Sequence, residues 1–411
     1  MKRTKWFFSI LTACVFTAVV IVGCSEEEEP ALALVSITAD GMDLNGATSA
    51  IGVKTGATIV ATFNVDLDPS AANFVSVIRD YDDAALDAEI TINGSEMTID
   101  PADDFNTGTL VILNFDSGIK TKGGNNLKFP FERTFTTEGS FVVPGAFAHW
   151  TFEDSAVDII GGRGPGNNGT VAVTYVEGRK SEAGKAASFN GTSSIIEIPN
   201  GSQLMKTGDW TMSIWVKPNS SLEKGQFVLG LGAFFGFQFE IFGSYNAFKM
   251  AASWTNGTDK YSEDMWADGE GNLGWQGWTY SKDFRGSGGM NTIIKDKWAH
   301  YTFVYNGTAK TGTVYLNGEK VKEQDFDNWP DGDIKRTTTG LFWRGALPDV
   351  ADELALGFIQ SRAGALWDAE PWGGYEQPGA NHFHGLMDDL LIYHKALTAG
   401  EVASMYNSGK P

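Results

Sequence analysis

The stretch HGLMDDLLIYHKALTAGEVASMYNSG, residues 384–409, holds two kinds of structure in one line. Its first half, Leu386 to Tyr393, is apolar except for Asp388 and Asp389, and its length suits a strand. Its second half begins at Thr398, with Glu401 three residues on. That pair is a capping box, in which the hydroxyl and the carboxylate each take one free amide of the first helical turn. Val402 and Met405 would dock the resulting short helix on whatever sheet the strand joins. Candidates for that sheet lie upstream. In WTMSIWVK (210–217), Trp210, Met212, Ile214 and Val216 fall on one face and Thr211, Ser213 and Trp215 on the other, so the first set faces a core. DKWAHYTFVYNGTAKTGTVYLNGEKV (296–321) reads as a hairpin.

The whole chain has this character. It contains 49 Gly in 411 residues, no long helical period, and short alternating runs separated by Gly-rich turns. Asn-Gly pairs begin at 93, 168, 190, 256, 306 and 317, a frequent signal of tight turns. The fold class is all-β, built of sandwiches. A first region, 32–138, alternates in TIVATFNVDLDP (58–69) and turns a hairpin at Asn93-Gly94 within EITINGSEMTIDP (89–101). Residues 139–145 read as a linker, and 146–411 form the second region.

AHWTFEDSAVDIIGGRGPGNNGTV (148–171), GKAASFNGTSSIIEIP (184–199), the alternating 210–217 strand, the 296–321 hairpin and the closing strand and helix together resemble the LamG-like jellyroll family, within the concanavalin A-like lectin and glucanase fold. ATFNVDLDPS (61–70) and FERTFTT (131–137) resemble bacterial Ig-like domains. The resemblances imply an Ig-like spacer followed by a jellyroll of two antiparallel sheets, one of them concave. They also imply a structural Ca²⁺, with Asp388 matching the family's metal aspartate and Glu153 and Asn190 lying in the phrases that meet it. Hard cations of this kind take oxygen ligands.

Lys2, Arg3 and Lys5 precede an apolar run, Trp6 to Val22, that ends in IVGC. This resembles a bacterial lipoprotein signal over residues 1–23, with Cys24 the acylated residue; an uncleaved membrane anchor is the alternative. SEEEEP follows, and residues 24–31 form an acidic tether that resembles the surface-export signal of Bacteroidetes lipoproteins. The implied location is the outer membrane, lipid-anchored and facing outward. The two cysteines, Cys14 and Cys24, both fall in or beside this signal, so the remaining chain has no disulfide. A formal charge of −20 argues against nucleic-acid partners and weakly against polyanionic glycans, and leaves neutral ligands open.

Function points to two stretches between the framework phrases, 219–296 and 325–383. Both read as long excursions, and long loops in compact domains are often functional. They hold eight of the 13 Trp, set among Gly, Asn and Asp. A pyranose ring offers its flat apolar face to an indole while amides and carboxylates bond its hydroxyls. On that basis Trp254, Trp266, Trp275, Trp278, Tyr280, Trp343 and Trp372 are candidate platforms for an extracellular polysaccharide, captured without catalysis, beside possible glycan-uptake partners. The bland alternative is that these rings only plug their own loops. A protein-binding adhesin and a glycoside hydrolase or polysaccharide lyase stay open. Hydrolysis needs two opposed carboxylates. Glu240, Asp264 and Glu270 are the first acids to test, whereas Asp388 and Asp389 are adjacent on a strand and should point to opposite faces.

Overall fold

A computed structural model describes residues 30–180, 183–273 and 277–411. The expected signal, Cys24 and most of the tether, and Trp275, lie outside those residues.

The N-terminal sandwich pairs two five-stranded sheets. The Ile59–Phe63 strand alternates as its sequence predicts, with Ile59, Ala61 and Phe63 buried. The hairpin of Ala88–Asn93 with Glu96–Pro101 turns at Asn93-Gly94, where Gly94 adopts a φ of +63° that a side chain would strain. Ile37, Ile59, Met97, Ile99, Val111, Leu113 and Phe135 fill the space between the sheets.

The linker is docked rather than free. Phe141 and Val143 are buried with Tyr393, Leu397, Val402 and Met405 of the second sandwich. The Tyr393 hydroxyl donates to the Val143 carbonyl at 3.1 Å. Tyr81, from the N-terminal sandwich, brings its ring to 4.6 Å from that of Phe141.

The C-terminal sandwich stacks a nine-stranded sheet on an eight-stranded one. The closing strand, His384–Tyr393, lies in the middle of the larger sheet, between Lys185–Asn190 and Trp210–Pro218. Trp210, Met212, Ile214 and Val216 enter the core as their alternation requires. The opposite face of that strand is also covered, because the Ala399–Gly409 helix packs there and Tyr406 stacks on Trp215 at 5.7 Å. The helix begins with the capping box of Thr398 and Glu401, and Val402 and Met405 are buried beneath it.

Two expectations change. Residues 226–267 are no excursion: Gln226–Leu231, Phe237–Ile241, Phe248–Thr255 and Lys260–Ala267 are consecutive antiparallel strands of the eight-stranded sheet. In FVLGL both strand faces are buried, so no alternation marks the strand. Asp388 and Asp389 do not diverge either. The pairing register slips between Ser213 and Trp215, and Asp389 has a φ of +42°. That bulge turns both carboxylates to one guanidinium, that of Arg179, with Asp389 at 2.6 Å and Asp388 in closer contact.

Candidate functional site

The four strands just named form a floor. Their apolar phase, including Phe239, Phe248, Met250, Trp254 and Met265, enters the core. Their other phase faces outward in cross-strand rows. Gln238 pairs with Ala251 and Ala251 with Asp264; Glu240 pairs with Lys249 and Lys249 with Trp266; Ser253 pairs with Ser262. With strands about 4.8 Å apart, this floor is roughly 14 Å across.

The loop after Glu353–Leu356 folds over one half of that outward face. Phe358, Ile359 and Ala380 bury themselves there with Ile195, Phe227 and Ala355, and Trp367, Trp372 and Tyr375 pack against them. The other half stays open. A groove of about 640 Å³ runs along the boundary, with Trp367, Trp372, Phe227 and Phe234 as its wall and Gln238, Glu240, Lys249, Asp264 and Asn381 among its polar lining. A second hollow of about 430 Å³ continues it past Ser262 and Asp264, which line both, toward Trp266, Trp278 and Lys335.

The floor's charges are matched. The Lys249 ammonium lies 3.0 Å from Asp264 and 3.9 Å from Glu240. Burial raises the Glu240 pKa; Lys249 opposes the rise and the Asp264 charge adds to it. At the far end, Lys335 pairs with Glu263 at 2.5 Å. Glu270 lies outside the groove, its backbone pairing with that of Asp283.

The sequence-predicted aromatics divide. Trp372 and Trp266 line the groove and its continuation. Trp266 is 38% exposed and stacks on Phe242 at 5.6 Å. Trp278 lines the continuation but carries the Lys322 ammonium 3.1 Å from its ring centre. Lys322 is buried, donates to the Asn272 carbonyl at 2.8 Å, and has its pKa lowered to about 8 by that burial. Trp278 thus partly plugs its own loop. Tyr280 is exposed outside the groove, with Lys320 5.0 Å from its ring. Trp343 packs half-buried against the core. Trp254 is no platform. It is fully buried, 5.0 Å from Tyr305 and 4.9 Å from Phe326, and its indole N–H donates to the Glu263 carbonyl. Phe227, Phe234, Gln238, Lys249, Trp367 and Asn381 are among the lining residues that sequence reasoning missed.

Glu153, Asn190 and Asp388 do not fit a shared Ca²⁺. Both Glu153 oxygens accept the Lys185 amide, at 3.0 and 3.1 Å. Asn190 Oδ1 takes the amides of Thr192, Ser193 and Ser194. Asn190 pairs with His384, four residues along the strand from Asp388, or about 13 Å. Asp388 faces Arg179. A guanidinium stands where the expectation put a metal, and among the described residues no three His, Cys, Asp or Glu side chains converge as a metal site.

A family model for the concanavalin A-like lectin/glucanases superfamily matches residues 190–361, and one for a bacterial Ig-like domain matches 42–137. The chain carries a concanavalin A-like domain behind a bacterial Ig-like domain. The groove therefore lies on the outward face of the concanavalin A-like domain. No curated protein matches the chain. Three solved structures show distant similarity over 64% of this chain. The binding domain of Paraclostridial Mosquitocidal Protein 1 is 15% identical, with 52% of that chain covered and a TM-score of 0.41. Domain 4 of AbnA, a GH43 extracellular arabinanase from Geobacillus stearothermophilus in complex with arabinotriose, is 23% identical, with 98% covered and a TM-score of 0.35. The Botulinum neurotoxin serotype D ligand binding domain in complex with N-acetylneuraminic acid is 13% identical, with 51% covered and a TM-score of 0.40. The chain spans about half the length of the two toxin chains, and similarity this remote carries no argument about ligands.

Proposed function

We propose that the concanavalin A-like domain captures an extracellular polysaccharide in this groove without cleaving it. One observation carries the reading: the indoles of Trp266, Trp367 and Trp372 border a floor of amide, hydroxyl and carboxylate groups. That combination suits a ligand with an apolar ring face and a rim of hydroxyls. In the same proposal, Cys24 is the lipid anchor, the chain sits on the outer face of an outer membrane, the Ig-like domain holds the groove away from the lipid, and a glycan-uptake complex is the partner.

The test is a glycan array, followed by affinity electrophoresis, on residues 25–411. Trp266→Ala and Trp372→Ala should each weaken retention of the glycan that binds by about five- to 100-fold, since one stacked ring contributes ~1–3 kcal/mol. Full retention by both variants would remove the reading.

A second reading is glycan hydrolysis, favoured by the convergence of Glu240 and Asp264 on one groove. The ammonium between them opposes it, because it ties up the carboxylate that would serve as base or nucleophile. Release of reducing sugar from a bound glycan, abolished by Glu240→Gln, would establish hydrolysis in place of simple capture.

A further inference from the structure

Arg344 lies against the same outward face, and the groove's matched charges leave it out. Its Nε donates to Ser253 Oγ at 2.9 Å and its Nη2 to Ser262 Oγ at 2.6 Å. Those two serines form the cross-strand row next to Ala251 and Asp264. The guanidinium carbon stands 5.4 Å from the ring of Phe234, which with Ser262 lines the groove. The Arg344 amide is tied to the Phe235 carbonyl at 3.0 Å, so the side chain starts from a fixed backbone. Among the described residues no carboxylate stands within ion-pair distance of it, whereas Lys249 has two and Lys335 has one.

A guanidinium has five N–H donors in a rigid fork, and two hydroxyls use two of them. Half burial lowers the Arg344 pKa with no acid near enough to offset the loss of water. A second cation accompanies it: Lys260 lies over Phe342, 4.7 Å from the ring centre, two residues before Arg344. In a chain of formal charge −20, a fixed and unmatched guanidinium beside a groove is an unbalanced feature that an anion would complete.

We propose that Arg344 is an anion subsite of the groove, and that the captured glycan bears an acidic substituent, a carboxylate or a sulfate ester, on an otherwise uncharged chain. The inference rests on the carbohydrate reading above. Sparse substitution follows from the protein's own charge, since a densely anionic polymer would be repelled by the surface and by Glu240 and Asp264.

Two pairs of oligosaccharides separate the sources by calorimetry on residues 25–411: an oligosaccharide with a single uronate against its carboxyl-reduced form, and a monosulfated one against its desulfated form. Wild type should prefer the acidic member of one pair about tenfold, the effect of one charge-assisted hydrogen bond in a half-buried site. The responding pair identifies the substituent. Arg344→Gln should bring the ratio to about one. Arg344→Lys should recover part of it, because the charge returns without the fork. Raising ionic strength should compress the wild-type ratio but not that of Arg344→Gln. Equal binding of acidic and neutral members in both pairs, or an undiminished ratio in Arg344→Gln, would overturn the anion subsite and leave polysaccharide capture standing. Failure of wild type to bind any member or any arrayed glycan would overturn both.

Discussion

Arg179→Met is expected to cost the concanavalin A-like domain ~3–5 kcal/mol, the penalty for removing one partner of a buried ion pair. For a domain of this size that is a fall of roughly 10 °C in melting temperature. The Arg179 side chain is 1% exposed. It donates to Asp388, to Asp389 at 2.6 Å and to the Gly409 carbonyl at 2.7 Å, and it stacks 4.9 Å from Trp215. The closing strand, the framework Trp strand and the end of the terminal helix therefore meet at one side chain. Its loss strands two carboxylates, one of them with no exposure at all, and frees the helix terminus.

One guanidinium cannot match two carboxylates, Asp388 without exposure and Asp389 part-buried. The Asp388 carboxyl is accordingly pushed up, to about 8, first by burial and then by the Asp389 charge beside it; the shared Arg179 opposes the rise. Asp389 goes the other way, held down against burial by its bond to His149 at 2.7 Å and by Arg179. The pair titrates as a unit, so the proton belongs to both. For a carboxyl whose folded pKa lies above its unfolded value, near 3.9, the stabilisation is complete below the unfolded value and disappears as pH rises through about 8. Wild type should lose melting temperature progressively between about pH 4 and pH 8 and change little above that. Asp388→Asn, which mimics the protonated acid, should flatten that slope at little cost at pH 7, while Asp389→Asn should destabilise. An Asp388→Asn variant as damaged as Arg179→Met would refute this account.

The same two aspartates show where legibility in the sequence ended. The strand and helix around them could be read from an apolar run and a capping box, both local signals. That both side chains meet one arginine, 209 and 210 residues away in sequence, could not, because a bulge reverses the alternation on which any facing argument depends. The eight-stranded sheet was hidden for a different reason. Strands such as Gln226–Leu231 are covered on both sides, inside by the core and outside by the 357–383 loop, so their sequence is evenly apolar. The groove followed from neither signal. It exists where that loop stops covering the sheet, and only scattered parts of its lining were legible: Trp266, Trp278, Trp372 and two acids, Glu240 and Asp264, whose shared partner Lys249 lies on the strand between them. The tryptophans misled most. An indole serves equally as a wedge and as a platform, and composition does not distinguish the two. Trp254 nevertheless carried a usable sign: in FKMAASWT it falls in phase with Phe248, Met250 and Ala252, the apolar set, and out of phase with Lys249 and Ser253.

That phase makes a second large effect predictable. Trp254→Ala should cost ~3–5 kcal/mol, the usual range for deleting a buried indole. The ring is fully buried between Tyr305 and Phe326, which follows the Glu319–Asp325 strand of the nine-stranded sheet, so no solvent can fill the space without meeting apolar surface. Its N–H also satisfies the Glu263 carbonyl at 3.1 Å, on the strand that presents Asp264 and Trp266 to the groove. Thermal unfolding should therefore shift by roughly 10 °C, while glycan affinity measured well below the transition should stay within about twofold of wild type. Trp266→Ala should do the reverse, since its ring is 38% exposed and its removal opens no cavity in the core. The two variants sit on neighbouring strands of one sheet, Trp254 facing in and Trp266 facing out, and chemically they make the same change. If both lose affinity equally at low temperature, the floor is not a binding surface and the loss is one of fold; if stability and binding separate, the outward face of these four strands is the site.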